Sequence, residues 1–124
     1  MPKLFLLIGV ILLLFGFQLW DNGLYSVRLE YPEAVVCTYA DKGESVSFAG
    51  DLSDAYTIAE MYAAKIWETE DLDDGAFTIT VLYARSSYLT GGQTVNGRFV
   101  NLQIAFNERT GVVTVGTPLI LGSY

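Results

Sequence analysis

The feature that most constrains this chain is an uncharged, apolar run near its amino terminus, residues 4–20. Leu, Ile, Val and Phe fill the run, and Gln18 is its most polar side chain. As a helix, this run spans about 26 Å, close to the bilayer hydrocarbon core of about 30 Å. Trp20 ends the run, where an interfacial aromatic residue is expected. The sequence therefore predicts a transmembrane signal-anchor over residues 1–22.

Two other interpretations of this run fit less well. A cleaved signal peptide needs small residues at its cleavage site, and residues 17–22 contain no Ala-x-Ala-like pattern. A helix that packs on the core of a soluble domain is amphipathic, whereas this run is apolar on every side. Lys3 precedes the run and Asp21 follows it, and positive charge stays in the cytoplasm. We expect a single-pass membrane protein in which lipid contacts residues 4–20, the amino terminus is cytoplasmic and the domain lies outside the cytoplasm.

The composition excludes several classes of function. A chain of 124 residues allows one folded domain, and a formal charge of −7 argues against a nucleic-acid partner. The absence of histidine removes histidine metal sites and the Ser-His-Asp triad. The sequence has no Ser-x-x-Lys motif and no glycine-rich phosphate loop before a helix. We expect no catalytic residue, no metal site and no cofactor, and we predict that the chain is not an enzyme.

The strongest structural signal is a three-stranded antiparallel meander over residues 76–89, 94–106 and 112–121. Apolar and polar residues alternate there with the period of two that a half-buried strand requires. Gly91-Gly92 predicts the first turn, and a four-residue loop ending at Gly111 predicts the second. The second loop pairs Phe106 with Val113 and Ile104 with Val115. The first turn predicts four apolar cross-strand pairs: Phe77 with Phe106, Ile79 with Ile104, Val81 with Leu102, and Tyr83 with Val100.

Upstream of the meander we expect a hairpin and one helix. Lys42-Gly43 predicts a turn that pairs Cys37 with Phe48, and the apolar run around the lone Cys37 predicts a buried, unreactive thiol. Residues 23–33 are a linker or a first strand, because Leu24 to Tyr31 alternates in polarity. Asp51 predicts the helix N-cap. The apolar stripe that packs this helix on the meander comprises Leu52, Ala55, Ala59, Tyr62 and Ile66.

An acidic run, residues 68–74, follows this helix in the prediction. Negative charge at a helix C-terminus is unfavourable, and a cation or a basic partner would relieve it. The spacing does not match a calcium-binding loop, because glycine stands at the fifth position from Asp71. A solvated loop, a contact with a basic partner and a metal site remain as interpretations, in that order.

Two groups of residues are candidates for binding. The predicted outer face of the sheet is less polar than solvent requires, which indicates either a second layer or a partner surface. A cleft between the helix and the meander is the second candidate, with Tyr62, Tyr83 and Val100 around it. The proposed partner contacts are the carboxylates Glu68, Glu70, Asp71, Asp73 and Asp74, together with Leu82, Tyr88 and Phe99.

The expected fold is α+β. An N-terminal transmembrane helix precedes a domain at residues 34–124, in which one helix packs on an antiparallel sheet in the order ββ(β)-α-βββ. This element order over residues 34–121 resembles the NTF2-like cone found in conjugation proteins, and PAS-like sensor domains. The favoured function is a non-catalytic, membrane-anchored domain for protein–protein interaction, an accessory or structural subunit of a cell-envelope complex. The alternatives are a small-ligand binding or sensor domain, which the resemblance implies, and a pilin-like filament subunit.

Overall fold

The computed structural model describes residues 24–38, 43–73 and 75–120. The predicted membrane span lies outside these residues. The described elements, in chain order, are α1 (Tyr25–Glu30), β1 (Val35–Thr38), β2 (Glu44–Ala49), α2 (Leu52–Met61), β3 (Lys65–Asp73), β4 (Thr78–Arg85), β5 (Gln93–Val95), β6 (Arg98–Val100), β7 (Leu102–Asn107) and β8 (Val112–Thr117).

Six of these strands form one antiparallel sheet in the order β1-β2-β8-β7-β4-β3. Strands β5 and β6 form a separate two-stranded hairpin. Helix α2 packs against β7 and β8, as the sequence predicts. The structure thus confirms a small α+β domain with an antiparallel sheet, and it adds a second helix, α1.

The main core lies between the sheet and the two helices. Alternate residues of the central strands point to this side, which we call the helix face, and the opposite side is the outer face. Fully buried side chains on the helix face bring β4, β7, β8 and β2 into one cluster with α1 and α2. Its largest members are Leu24, Val27, Val46, Ile58, Leu82, Leu102, Ile104, Val113 and Val115.

Helix α1 lies where the sequence predicts a linker or a first strand, so neither interpretation of this segment is correct. Leu24 and Val27 are three residues apart, lie on one side of the helix and are both fully buried. Tyr31 follows the helix and stacks on Phe48, with ring centroids 3.7 Å apart. The polarity pattern of this short segment fits both the period of a strand and the period of a helix. The helix forms because it buries Leu24 and Val27 together.

Helix α2 begins as predicted and ends earlier. Asp51 caps it by accepting from the backbone N–H of Asp54, and Asp54 accepts in return from the backbone N–H of Asp51 at 2.9 Å. The helix ends at Met61, and Ala63 then takes a positive φ of 46°. The chain reverses there, so Ile66 lies in strand β3 and not on the helix.

Strand β3 corrects the interpretation of the acidic run. Residues 68–73 lie on an edge strand paired with β4, so they are neither a helix C-terminus nor a loop. Thr69 pairs with Leu82, and Glu70 pairs with Val81. Asp74 lies outside the described residues. Acidic side chains are depleted in strands generally, which is why the local sequence did not indicate one here.

The hairpin of β7 and β8 matches the prediction. Ile104 pairs with Val115 and Phe106 with Val113, and Gly111 adopts the expected positive φ of 64°. The strand ends at Thr117, directly before Pro118, which lacks the N–H needed for a further ladder bond.

The predicted register of β4 against β7 is wrong by three residues. Leu82, not Ile79, pairs with Ile104, and Ile79 pairs with Asn107. An odd shift exchanges the two faces of a strand, so Leu82 points into the core and Val81 lies on the outer face. Both faces of β4 are apolar enough for either register, so alternation alone could not distinguish them.

The turn that decides this register is Asn96-Gly97, and not Gly91-Gly92. Asn96 and Gly97 have φ values of 51° and 81°, the two successive positive angles that a tight hairpin turn uses. This turn joins β5 to β6 and inserts a small hairpin between β4 and β7. Asn-Gly is a strong hairpin signal that the sequence carried.

The register of β1 against β2 is also shifted by three residues. Cys37 pairs with Ser45 and not with Phe48. The thiol of Cys37 is exposed, so the prediction of a buried thiol is wrong. Residues 39–42, which include the predicted turn residue Lys42, lie outside the described residues.

Candidate functional site

The structure separates the residues of the predicted ligand cleft. Tyr62 is buried in the core on the helix face, whereas Tyr83 lies on the outer face, next to Val100 of the β5–β6 hairpin. The predicted three-residue cleft is therefore wrong as a unit. Tyr83 and Val100 instead line a pocket of about 250 Å³ where the hairpin covers the outer face. The other lining residues are Trp67, Glu68, Val95, Asn96 and Arg98.

Two side-chain hydrogen bonds hold the hairpin against the edge strand. The indole N–H of Trp67 donates to the carbonyl oxygen of Phe99 at 3.2 Å, and the amide of Asn96 donates to the carboxylate of Glu68 at 3.1 Å. Trp67 lies at an irregularity in the pairing of β3 with β4, between Ile66 and Glu68. A bulge of this kind re-aims a side chain, and here it brings the indole towards the hairpin.

Three cations gather on two aromatic rings beside this pocket. Lys65 Nζ lies 4.3 Å from the centroid of the Trp67 ring, and the Arg98 guanidinium lies 4.7 Å from the same ring. The Arg85 guanidinium lies 5.4 Å from the Phe99 ring. We call these five residues the basic–aromatic patch. Cation–π contacts of this length are attractive but contribute only about 0.5–1 kcal/mol each at exposed sites.

The patch is unusual in its electrostatics. Lys65 and Arg85 stand directly opposite each other across β3 and β4, and like charges in that position are destabilising. Within the described part of the chain, neither side chain forms an ion pair with a carboxylate, nor does Arg98. Three of the seven Lys and Arg side chains of an acidic protein thus share one small surface, and the nearby Glu68 carboxylate forms no ion pair with them.

The other predicted contact residues are divided. Leu82 is fully buried in the core, so it is wrong as a partner contact, because the register shift turned it inwards. Tyr88 and Phe99 are exposed, at 38% and 42% of their surface, and Phe99 belongs to the basic–aromatic patch. The carboxylates Glu68, Glu70, Asp71 and Asp73 lie along the edge strand β3.

A buried polar cluster supports the loop that leads into the hairpin. The amide of Asn101 donates to the carbonyl oxygens of Ser86 at 2.8 Å and Leu89 at 3.1 Å, and it accepts from the N–H of Ser86 at 2.7 Å. Thr117 donates to the carbonyl oxygen of Asn101 at 2.8 Å. Local sequence patterns gave no signal for this cluster, because its partners are far apart along the chain.

The two edges of the sheet differ in chemistry. Strand β3 carries carboxylates that discourage pairing with another strand. Strand β1 is exposed along its whole length and presents Val35, at 66% exposure, and Val36, at 37%. An exposed edge with apolar side chains and no charge is a ready template for an added strand.

Ionisable groups with shifted pKa values lie at the other end of the sheet. Burial and a hydrogen bond to Asp54 raise the pKa of Tyr31 to about 12; its hydroxyl donates to that carboxylate at 3.0 Å. Hydrogen bonds from the Ser53 hydroxyl and the Asp54 backbone lower the pKa of Asp51. These shifts belong to the junction of α1 with α2 and follow from its burial and hydrogen bonds.

Comparison with known proteins gives no relative. No protein family matches the sequence, and no curated protein or solved structure is similar to it. The resemblance to NTF2-like and PAS-like domains therefore stays an expectation from the predicted element order. Among the residues described, no helix is long and apolar enough to cross a bilayer, and no group of three or more acidic or cysteine side chains could hold a metal ion.

Proposed function

We propose that this chain is a non-catalytic interaction domain, held outside the cytoplasm by a membrane anchor at residues 4–20, and an accessory or structural subunit of a cell-envelope complex. The anchor is supported by the uncharged apolar run and by Lys3 ahead of it. The observation that carries the interaction role is the exposed edge strand β1.

Edge strand β1 offers a partner both backbone and side-chain contacts. An added strand gains main-chain hydrogen bonds, and the alternate side chains Val35 and Cys37 lie on one face while Val36 and Thr38 lie on the other. Its neighbour β2 continues into the centre of the sheet, so the added strand would extend a rigid six-stranded platform. A partner that supplies an extended segment fits this edge.

Site-specific photocrosslinking in native membranes tests this interaction role. A crosslinking amino acid at Val35 is expected to give a discrete product of higher mass. The same group in place of Tyr56, which is also exposed, at 42%, on helix α2, should give none. A Val35→Lys variant is expected to shift the chain from a large complex to a smaller species on a native gel. A lone monomer in mild detergent extracts, with no crosslink at Val35, would contradict the proposal.

The pocket beside Tyr83 and Val100 supports a second function, small-ligand binding. Its volume is below the range of about 300–1,000 Å³ typical of drug-sized ligand sites, so it suits a small molecule or one side chain. Benzoate is a suitable probe, because it offers a carboxylate to Arg98 and a ring to Trp67. Saturable amide chemical-shift changes at residues 95–100 support this function, and the absence of changes at high benzoate concentration excludes this probe class.

The pilin-like alternative depends on a long continuous N-terminal helix. Helix α1 ends at Glu30, and Pro32 follows it. Among the described residues, the first helix therefore stops at residue 30 and does not continue as a long N-terminal helix. No observation supports the pilin-like alternative.

A further inference from the structure

We infer that the basic–aromatic patch docks the domain onto an anionic lipid surface, so that the end of the sheet bearing Lys65 and Arg85 faces the membrane. This inference rests on the proposed anchor at residues 4–20. It names a second contact with the bilayer, through headgroups, in addition to the anchor itself. The patch combines exposed cations with the rings of Trp67 and Phe99, the residue types that bind headgroups at the interface.

The first described residue, Leu24, lies at the same end of the sheet as the patch. Leu24 donates its backbone N–H to the carboxylate of Glu44. Glu44 pairs with Thr117, and Thr117 bonds to the backbone of Asn101, which bonds to Ala84 beside Arg85. These contacts cross the sheet along one end, from the entrance of the chain to the patch.

Short distances follow from this arrangement. Residues 21–23 separate Trp20 from Leu24, and three extended residues reach about 10 Å. Strands β2 and β4 are three strand spacings apart in the sheet order, or about 14 Å. The patch therefore lies within reach of the headgroups whenever the apolar run is in the bilayer, and no long linker keeps it away.

Charge along the strands favours one orientation. The patch end carries Lys65, Arg85 and Arg98. It also carries the carboxylates of Glu44 and Glu68, while the larger group of carboxylates lies at the opposite end. That opposite end is identified by Gly50, whose N–H bonds to Gly111, and by Thr78, whose N–H bonds to Glu108. The carboxylates there are Asp51, Asp54, Asp71, Asp73 and Glu108. An anionic surface repels a chain of net charge −7 unless the cationic end faces it.

The positive charges of the patch do not stabilise the isolated domain through ion pairs. The like-charged pair of Lys65 and Arg85 costs free energy in the isolated domain, and no described carboxylate forms an ion pair with either side chain. Lipid phosphates beneath the patch would neutralise both. Each cation near an anionic leaflet changes the ratio of docked to undocked domain about fivefold. Three cations give weak binding alone but effective docking once an anchor raises the local concentration.

Depth-dependent quenching of Trp67 tests the docking. The full chain is reconstituted with Trp20→Phe, which leaves Trp67 as the remaining tryptophan. Brominated lipids are incorporated into vesicles of phosphatidylcholine alone, or of phosphatidylcholine mixed with phosphatidylglycerol. We expect Trp67 quenching in the mixed vesicles, little in phosphatidylcholine alone, and loss of the difference at high salt.

A matched pair of arginine variants provides the control. Arg98→Gln removes a charge from the patch, while Arg109→Gln removes one at the opposite end, where its guanidinium lies 6.0 Å from the Phe77 ring. Arg98→Gln and Arg85→Gln are each expected to lower the docked-to-undocked ratio about fivefold. Arg109→Gln should leave it unchanged. Arg85 lies over Phe99 and not over Trp67, so its variant excludes a direct effect on the fluorophore.

Carbonate extraction separates failure of this inference from failure of the proposed anchor. A chain that resists carbonate but shows no anionic-lipid quenching overturns the docking and leaves the anchor standing. A chain that carbonate removes from the vesicles overturns both. A Trp67 emission change on adding poly-glutamate, with no quenching in the mixed vesicles, also overturns the lipid inference, in favour of an acidic protein surface.

Discussion

At the scale of single residues, Asn101 is the side chain on which the loop before the hairpin depends. It is 2% exposed and satisfies two carbonyl groups and one N–H of the loop at residues 86–89. From the sequence alone, a buried asparagine side chain is expected to destabilise a sheet protein. Here the Asn101 side chain supplies hydrogen bonds to backbone groups that have no strand partner after the end of β4. These groups come together only in the folded state.

Asn101→Ala should therefore be strongly destabilising. Buried groups left without a partner cost about 1–3 kcal/mol, so we expect a loss of that order in the free energy of unfolding, measured by chemical denaturation. Gln93→Ala removes an exposed amide from β5 and is the matched control, with an expected change within about 0.5 kcal/mol. Equal losses in the two variants would mean that the buried bonds do not stabilise the fold.

Tyr31 gives a prediction at alkaline pH. Its folded pKa of about 12 exceeds the ordinary value of 10.0, so the folded state holds the phenolic proton more tightly than the unfolded state does. The resulting stability is complete below pH 10 and is lost as pH rises from 10 to 12. Tyr31→Phe should remove this part of the pH dependence in denaturation curves, while Tyr25→Phe, which removes the hydroxyl of an exposed tyrosine on α1, should retain it. A Tyr31→Phe curve parallel to the parent across this range would contradict the assignment.

At the scale of elements, the predicted strand register is correct where a short loop and the alternation of apolar residues indicate the same pairing. The β7–β8 hairpin meets this condition, because Gly111 fixes the turn and one face of each strand is clearly apolar. Strand β4 does not, since Ile79, Val81 and Tyr83 on one face are as apolar as Leu82 and Ala84 on the other. Its register is set by a hairpin folded back on the sheet, which alternation does not encode.

Some candidate residues lie where the sequence analysis expects them. Tyr83 of β4 and Val100 of β6 line one pocket, and Phe99 and Tyr88 are exposed. Strand β3, the source of Trp67 and Lys65, was missed altogether. The carboxylates of β3 give its sequence a low strand propensity, and the strand forms because it pairs with β4. The basic–aromatic patch therefore becomes visible only in three dimensions.

Two glycines test the different roles of the hairpins. Gly97 and Gly111 both have positive φ and no neighbour near an added Cβ, so alanine has a similar local cost at each, about 1 kcal/mol. Gly111→Ala should lower global stability by about that amount, because β7 and β8 are central. Gly97→Ala should mainly accelerate hydrogen exchange at residues 93–100, because the hairpin can open while the sheet stays folded. Unchanged exchange there in Gly97→Ala would show that the hairpin is not a separate unit.

At the scale of the whole molecule, two features lie at one end of the long axis of the strands. They are the basic–aromatic patch and Leu24, the first described residue, and most of the clustered carboxylates lie at the other end. The exposed edge β1 runs beside this axis and stays open in either orientation. We propose on these grounds that the domain is a small platform close to a membrane and presents one strand edge to a partner.

Intact-mass measurement of the chain from carbonate-washed native membranes tests the anchor most directly. The account predicts a membrane-retained protein whose mass still includes residues 4–20. Recovery in the carbonate supernatant of a species that begins after Trp20 would show that the apolar run is removed, and would contradict the central claim.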